Sequence, residues 1–291
     1  MKYGGIELGG TKMICAISDE YGSFVDFKVI PTSKVEDTLP FLFDFFKDKD
    51  ISSLGIGSFG PIELNKESKT YGHITSTPKI EWENTDIVSF FSQLNVPIGL
   101  DTDVNAACLG EVKRGAGREL SNVIYGTVGT GIGFGVYANG ELLHGLMHPE
   151  VGHMLIQKHQ DDLNYNGPCP YHVNCLETLA SGPSIEKRWG KKACDLYSDE
   201  KVWKLEAYYL GQAVSNCVLC YSPQRVILGG GVMHTPGLIK MIRREVLRCL
   251  NSYIKKEEIL VDIDNYLVLP DLGDNSGIIG AIELGKLELN K

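Results

Sequence analysis

The chain has 291 residues and a formal net charge of −9, a balance that disfavours non-specific binding to nucleic acid or to an anionic membrane. Hydrophobic residues make up 43% of the sequence, which allows a sizeable core and argues against wholesale disorder. No apolar run approaches the ~20 residues that a membrane-spanning helix needs, and the sequence opens on a glycine-rich strand pattern instead of a signal peptide. We therefore predict a cytoplasmic protein with no membrane partner, in which the eight cysteines are reduced.

Residues 3–30 are predicted to form three short strands joined by turns. The first turn contains Gly9, Gly10, Thr11 and Lys12. Backbone N–H groups in a glycine turn can approach a phosphate closely, and the threonine and lysine add a hydroxyl and a cation. An ordinary glycine-rich hairpin explains the same residues. The pattern is not a P-loop, which needs a Gly-x-x-x-x-Gly-Lys-Ser/Thr run that opens into a helix.

Helical and strand patterns then alternate up to a conspicuous aspartate. The predicted elements are a helix at 35–47, a strand at 51–58, a helix near 86–94 and a strand at 96–100. Asp103 follows that strand at the start of a helix that runs to about Val112. Open α/β sheets bind ligands at the carboxyl ends of their strands, where this carboxylate could accept a proton from a substrate hydroxyl. A plain helix cap is the alternative, since Asp is a favoured N-cap.

A charged, glycine-containing segment at 113–118 interrupts the apolar periodicity and predicts a domain boundary. Residues 122–137 then repeat the opening pattern of strand, glycine turn and strand. Such a pseudo-repeat indicates two α/β domains that face each other across a cleft. The predicted domains are 1–115, completed by a C-terminal helix at about 275–291, and 116–274. The small residues of that last helix favour close packing against the first domain.

The second half contains a helical pattern at about 176–220 and then a buried strand that runs into three glycines. The residues at this junction are Gly229, Gly230, Gly231, Val232 and Met233, and a helix follows from Pro236 to Asn251. A strand-to-helix junction of this kind lets a flat ligand lie against bare backbone. A tight strand–helix turn is the alternative.

Four soft or borderline metal ligands occur close together in the sequence. They are His153, Cys169, His172 and Cys175. Four nitrogen and sulfur ligands form a closed tetrahedral site, which is the structural type for zinc, with a disulfide or free thiols as the alternative. The Cys-x-x-His-x-x-Cys spacing is not that of nucleic-acid zinc fingers. A bound metal would pin the loop at 161–167 and the start of the next helix.

Glu150 and Glu177 lie at the two edges of this cysteine–histidine cluster. Carboxylates held in place there could accept hydrogen bonds from sugar hydroxyls. Solvated surface charge is the favoured explanation for either residue taken singly.

Together these motifs resemble the ROK family of sugar kinases, and most closely its bacterial fructokinases. The motifs that carry the resemblance lie at 5–12, 101–107, 129–133, 150–153 and 229–231. Segment 169–177 departs from the Cys-x-Cys-Gly-x-x-Gly-Cys pattern of most members. That departure, with Thr77-Pro78-Lys79 and Trp82, is similar to the fructokinase branch. The resemblance implies an actin/hexokinase-like (ribonuclease H-like) ATPase fold, with two α/β domains around a cleft.

The resemblance also implies roles for individual residues. Asp103 would be the catalytic base, and Glu7 would help to hold the Mg²⁺ shell. The residues expected along the nucleotide phosphates are Gly9, Gly10, Thr11, Lys12, Thr130 and Gly131. Those expected around the adenosine are Gly229, Gly230, Gly231, Val232 and Met233, with Pro183 and Lys187 on the other side. Asn105, Glu150 and Glu177 would contact the sugar, and His153, Cys169, His172 and Cys175 would bind the metal.

The implied reaction transfers the γ-phosphoryl group of ATP to a hexose and requires Mg²⁺. The fructokinase branch implies D-fructose as the hexose. The resemblance also implies a structural Zn²⁺. Glucose, mannose or an N-acetylhexosamine stay open as substrates, and so does sugar binding without catalysis. ROK repressors carry an N-terminal helix-turn-helix, for which there is no room before Gly9, so nucleic acid is not an expected partner. The resemblance also implies a homodimer.

Overall fold

The structure is a computed structural model that describes residues 1–77 and 79–291, so Pro78, part of a fructokinase-like motif, lies outside the described residues. The chain divides into two compact units. The first contains Met1–Arg118, Leu142–Pro149 and Asn275–Lys291, and the second contains Glu119–Glu141 and Glu150–Asp274. The sequence predicts one domain over all of 116–274, whereas the Leu142–Pro149 segment groups with the first unit. Across the described residues, no helix combines the length and apolar character that a membrane span requires.

In the part of the chain that the structure describes, ten strands and ten α-helices form these two units. The strands are β1 (Lys2–Leu8), β2 (Lys12–Asp19), β3 (Phe24–Pro31), β4 (Ser53–Ser58), β5 (Ile98–Thr102), β6 (Val123–Val128), β7 (Ile132–Ala138), β8 (Glu141–Leu142), β9 (Arg225–Gly229) and β10 (Leu267–Val268) in the described residues. The helices described are α1 (Val35–Phe46), α2 (Ile87–Ser92), α3 (Asp103–Arg114), α4 (Leu176–Ala180), α5 (Gly182–Trp189), α6 (Glu200–Tyr221), α7 (Leu238–Leu250), α8 (Glu257–Leu260), α9 (Ile263–Tyr266) and α10 (Ser276–Leu289).

The first unit is built on a five-stranded mixed sheet in the order β3-β2-β1-β4-β5. The predicted three-stranded start is confirmed, because β1, β2 and β3 pair in antiparallel fashion. Strands β1, β4 and β5 are parallel, and Leu8 pairs with Ser58, which in turn pairs with Thr102. The carboxyl ends of these three strands therefore lie at one edge of the sheet, level with one another.

Apolar side chains from α1 pack into the core beside this sheet. Leu39, Leu42 and Phe46 are buried one helical turn apart or nearly so, which is the spacing that a core-facing helix requires. Trp82 is also buried there, and its indole nitrogen donates to the backbone carbonyl of Ser33 over 3.0 Å. This hydrogen bond links the connection between β4 and β5 to the segment that precedes α1.

Helix α10 packs closely on the sheet of the first unit, as the small residues near the chain end predicted. Gly55 of β4 lies directly under the helix, and a Cβ atom at this position would be 1.6 Å from the carbonyl oxygen of Ala281. Gly285 faces the same strand from the next turn of the helix. A Cβ atom on Gly285 would be only 2.7 Å from the Gly55 backbone nitrogen. Backbone meets backbone at this contact, so no side chain can give way.

Replacing Gly55 with alanine is therefore expected to destabilise the protein by about 3 kcal/mol or more, because overpacking forces the helix and strand apart. Gly145→Ala is a matched control, since the nearest atom to its Cβ would be 3.9 Å away. Denaturant unfolding of both variants measures the difference. An unchanged free energy of unfolding for Gly55→Ala would contradict the close approach.

The second unit contains a five-stranded sheet in the order β10-β9-β6-β7-β8. Strands β6 and β9 are parallel, with Thr127 opposite Gly229, so the Gly-Thr-Gly turn after β6 and the glycines after β9 leave the same edge side by side. The helical pattern predicted at about 176–220 corresponds to three α-helices in the described residues, α4, α5 and α6. Ser181 starts α5 as its cap and Asp199 caps α6, and these local hydrogen bonds end one helix and begin the next.

Candidate active site and metal centre

The glycine turn at 9–12 and Asp103 leave the same edge of the first sheet. The turn follows β1 and Asp103 follows β5, with β4 between them. Neighbouring strands are about 4.8 Å apart, so the two features are roughly 10 Å from each other across the edge. The Gly9 backbone nitrogen donates to the Lys12 carbonyl over 3.1 Å, and the Thr32 hydroxyl donates to the Gly9 carbonyl over 2.8 Å. Both bonds hold the turn in a tight form that points past the strand ends.

Asp103 is the first residue of α3 and not its cap. Thr102 caps the helix, because its hydroxyl oxygen accepts from the Asn105 backbone nitrogen over 3.1 Å. One carboxylate oxygen of Asp103 accepts from the Val104 backbone nitrogen over 2.8 Å. Burial raises the pKa of the Asp103 carboxyl to about 6. A carboxylate with this pKa is ionised near neutral pH and is a stronger base than an exposed one.

Asn105 lies one helical turn beyond Thr102 and is buried. Its amide nitrogen donates to one oxygen of Asp101 over 2.7 Å, while its amide oxygen is a buried acceptor with no partner among the described residues. A buried acceptor without a donor costs free energy that a ligand hydroxyl would recover. The sugar contact predicted at Asn105 stays a prediction, and Asp101, the partner of this amide, has no predicted role of its own.

In the second unit, the Gly-Thr-Gly turn meets the start of α5. The Gly129 carbonyl accepts from the Gly182 backbone nitrogen over 2.8 Å, which places Pro183 in the first turn of α5 beside this turn. Lys187 lies further along α5, is exposed, and donates to the Gly167 carbonyl over 3.3 Å. The structure thus brings the predicted phosphate turn, Pro183 and the glycines after β9 together, whereas Lys187 contacts the loop near the metal ligands.

Glu177 also contacts this turn. One of its carboxylate oxygens accepts from the Ile132 backbone nitrogen, the first residue of β7, over 3.0 Å. The same oxygen lies 2.9 Å from the place that a Cβ on Gly131 would occupy. Glu177 therefore supports the Gly-Thr-Gly turn from α4, a contact that its position beside Cys175 in the sequence did not indicate.

Glu150 precedes a short 3₁₀ turn, Val151–His153, of which His153 is the last residue. Gly152 packs against the start of β7, where a Cβ atom would lie 1.7 Å from the Ile132 carbonyl oxygen. Only glycine can approach the Ile132 carbonyl so closely, so Gly152 allows the 3₁₀ turn to pack directly against β7. Glu150, which precedes this turn, is exposed.

The four predicted metal ligands form one cluster. The ligand atoms of His153, Cys169, His172 and Cys175 all lie within 4.8 Å of one another. Nδ1 of His153 is 3.9 Å from the Cys169 sulfur and 3.7 Å from the Cys175 sulfur, and Nδ1 of His172 is 3.8 Å from the Cys169 sulfur. Ligand atoms around one tetrahedral zinc ion are roughly 3.4–3.8 Å apart. The donor set and its spacing therefore fit a closed four-ligand metal site.

Local pairing explains how ligands from distant parts of the chain meet. The backbone nitrogen of Leu176 donates to the Met154 carbonyl over 2.9 Å, and that of Ile156 donates to the Asn174 carbonyl over 3.1 Å. These bonds place His153 next to Cys175. The Cys175 sulfur also caps α4 by accepting from the Thr178 backbone nitrogen over 3.4 Å. A metal at this site would therefore hold the first turn of the helix that carries Glu177.

A buried ion pair fixes the base of the same loop, and the sequence did not reveal it. Asp162 accepts two hydrogen bonds of 3.0 Å from the Arg188 guanidinium and one of 2.6 Å from the Tyr209 hydroxyl. The guanidinium lies 3.8 Å from the centre of the Tyr165 ring. A bound metal is predicted to pin this loop, and these residues from α5 and α6 hold it at a further point.

Comparisons with known proteins agree along the whole chain. The ROK family profile matches residues 3–288. A protein of Bacillus subtilis (strain 168) is 46% identical over 97% of this chain and 94% of its own length. The fructokinase of Lactococcus lactis subsp. cremoris is 41% identical over 99% of this chain and 96% of the relative. The solved structure of a ROK hexokinase from Thermus thermophilus superposes with a TM-score of 0.80 at 26% identity, covering 100% of this chain and 99% of that one. The predicted actin/hexokinase-like α/β fold is thereby confirmed, and the chain belongs to the ROK family.

Proposed function

We propose that this protein is an ATP-dependent sugar kinase that transfers the γ-phosphoryl group of MgATP to D-fructose, giving fructose 6-phosphate. The observation that carries the chemistry is Asp103, an aspartate of raised pKa at the strand edge that also bears the Gly9–Lys12 turn. The full-length similarity to the Lactococcus lactis fructokinase supports the choice of sugar.

Asp103 is proposed to act as the general base. Its carboxylate would accept the proton of the acceptor hydroxyl as the new P–O bond forms and the bond to the ADP leaving group breaks. Because burial has raised its pKa to about 6, the carboxylate is both ionised and basic near neutral pH. The Thr102 cap supports this role, since it leaves the aspartate side chain out of the helix cap.

The remaining predicted residues would bind and orient the two substrates. Among the described residues the amide oxygen of Asn105 has no donor, and Glu150 is exposed, so we infer that both accept hydrogen bonds from sugar hydroxyls. Glu177 would join them with its second carboxylate oxygen. The proposed phosphate contacts are Gly9, Gly10, Thr11, Lys12, Thr130 and Gly131. The proposed adenosine contacts are Gly229, Gly230, Gly231, Val232, Met233, Pro183 and Lys187.

Magnesium would enter with ATP as part of the substrate, held chiefly by phosphate oxygens and water. Bound there, it neutralises charge on the transferred group. Glu7, at the end of β1, is the acidic residue proposed nearest its shell. The Glu7 side chain lies against Gly277 at the start of α10, where a Cβ would be 2.5 Å from its carboxyl carbon. Lys12 of the neighbouring turn would complement the same negative charge.

For the cysteine–histidine cluster we propose a structural Zn²⁺. Two thiolates and two imidazoles complete four-coordination without leaving an open position for substrate or water. The ion would therefore supply folding free energy and not a chemical step.

The test of the sugar assignment is a coupled ADP assay with fructose, glucose, mannose and N-acetylhexosamines under saturating MgATP. We expect kcat/KM for fructose to exceed that for each of the others by at least roughly tenfold, because a site that hydrogen-bonds specific hydroxyls rejects sugars that present them differently. Protein prepared identically with Asp103→Asn measures any contaminating kinase. A higher value for another hexose would replace fructose as the substrate.

Sugar binding without catalysis is the rival from a different class. Calorimetric binding of fructose without production of ADP from any hexose would favour it. The homodimer implied by the resemblance stays a proposal.

A further inference from the structure

The Leu142–Pro149 segment is tied to the first unit by two histidines. Nε2 of His148 accepts from the Ile62 backbone nitrogen over 3.3 Å, and Nε2 of His144 is 2.9 Å from one oxygen of Asp101. The segment continues directly into Glu150, a residue proposed to contact the sugar. Neither histidine was assigned a role from the sequence.

Asp101 sits at the centre of a small polar network at the end of β5. Its side chain is buried, whereas the His144 side chain is 39% exposed. One Asp101 oxygen accepts from the Thr102 backbone nitrogen over 2.8 Å and from the Asn105 amide over 2.7 Å. The other oxygen faces His144. A protonated imidazole at this position would neutralise a buried carboxylate that also accepts from the Asn105 amide.

We propose that His144, in its protonated form, is a positioning residue for sugar binding. Its bond to Asp101 holds the amide of Asn105 so that the amide oxygen is presented as an acceptor, and it holds the segment that leads to Glu150. The proposal rests on the proposed kinase function for its substrate, but the ion pair itself does not depend on it. No contact of His144 with the reacting atoms is involved.

The surrounding groups favour the protonated ring. The hydrogen bond to Asp101 raises the pKa of His144, and the charge of Asp101 and the Leu142 backbone add to this effect against the cost of burial. The other titratable groups that face the pair are His148, whose own pKa is lowered chiefly by burial, and Tyr71, which faces Asp101. Because the pKa of His144 is raised, the ion pair between His144 and Asp101 is fully formed at pH values below the ordinary pKa of histidine. The pair is lost as pH rises through the raised pKa.

The first experiment measures KM for fructose and kcat as a function of pH in the wild type, His144→Ala and His144→Gln. In the wild type KM should rise as His144 loses its proton. His144→Ala should raise KM roughly five- to tenfold, the order expected for one lost hydrogen bond, and make it independent of pH, with kcat changed less than about twofold. His144→Gln retains a donor that does not titrate, so it should restore most of the affinity and still show a flat profile.

His73→Ala is the matched control, because its ring nitrogen lies 3.9 Å from Asp86 in a looser histidine–aspartate pair of the same unit. It should keep the wild-type KM profile. The inference is wrong if His144→Ala leaves KM and its pH dependence unchanged in an active kinase.

The second experiment needs no activity. The ring resonances of His144, assigned by comparison with His144→Gln, should titrate above the ordinary histidine pKa in the wild type and return toward it in Asp101→Asn. A His144 pKa at or below the ordinary value would overturn the ion pair. If no hexose is phosphorylated but this titration is found, the proposed function fails while the pair stands.

Discussion

Replacing Asp103 with asparagine is expected to lower kcat roughly 10²- to 10⁴-fold, the range found for general acid–base groups, with ATP and fructose binding nearly unchanged. The amide keeps the shape of the carboxyl group but cannot accept the hydroxyl proton. Burial opposes the ionised form of Asp103, so the neutral amide should not make the protein less stable at neutral pH. Steady-state kinetics, calorimetry and thermal unfolding of one preparation test all three points.

Asp86→Asn provides a matched control. Asp86 also stands at the start of a helix, where it caps α2 by accepting from the Ser89 backbone nitrogen over 2.9 Å. Asparagine caps helices as well as aspartate does, so this variant should retain both fold and turnover. Near wild-type kcat in Asp103→Asn would contradict the assignment of the base.

The assignment of Asp103 as the general base also predicts how kcat changes at acidic pH. Because the pKa of Asp103 is raised to about 6, kcat should fall as pH drops through that value and the carboxylate becomes protonated. The variant should lack this step in its residual activity.

Removing the metal ligands should have the second large effect. Cys169→Ser and Cys175→Ser are each expected to lower zinc affinity by more than roughly 100-fold, because loss of a direct ligand exceeds the effect of losing its outer-shell partner. Cys175→Ser should be the more damaging, since that sulfur is buried and also caps α4. Elemental analysis, thermal unfolding and hydrogen exchange of the loop measure the outcome.

The structure predicts which part of the loop stays ordered when the metal is lost. Residues 168–176 should lose protection from exchange, together with the Glu177 contact to the Gly-Thr-Gly turn, and kinase activity should fall with them. Residues near Asp162 should stay protected, because Arg188 and Tyr209 hold that end independently of the metal. Cys194→Ser is the control, as this cysteine is exposed and outside the cluster. Absence of stoichiometric zinc in protein prepared without chelators would contradict the proposed metal.

Features that depend on neighbours in sequence could be predicted from the chain alone. The glycine turn at 9–12, the Gly-Thr-Gly turn and the strand that precedes Asp103 follow from local propensity and apolar patterning. The Cys-x-x-His-x-x-Cys spacing places three potential metal ligands within one loop, and four-coordination made His153 a plausible fourth. Small residues in the last helix indicated its close packing, which Gly55 now explains.

Contacts between residues far apart in sequence depended on the tertiary structure. His144 and Asp101 are 43 positions apart and Arg188 and Asp162 are 26 apart, so no local pattern could pair them. Only the fold showed that Thr102, and not Asp103, caps α3, and only burial raised the pKa of Asp103. By itself the sequence determined which chemical groups each turn and loop carries, because that depends on residue type and short-range geometry. The tertiary structure decided their partners, burial and charge state, because these are set by strands and helices that meet only when the chain has folded.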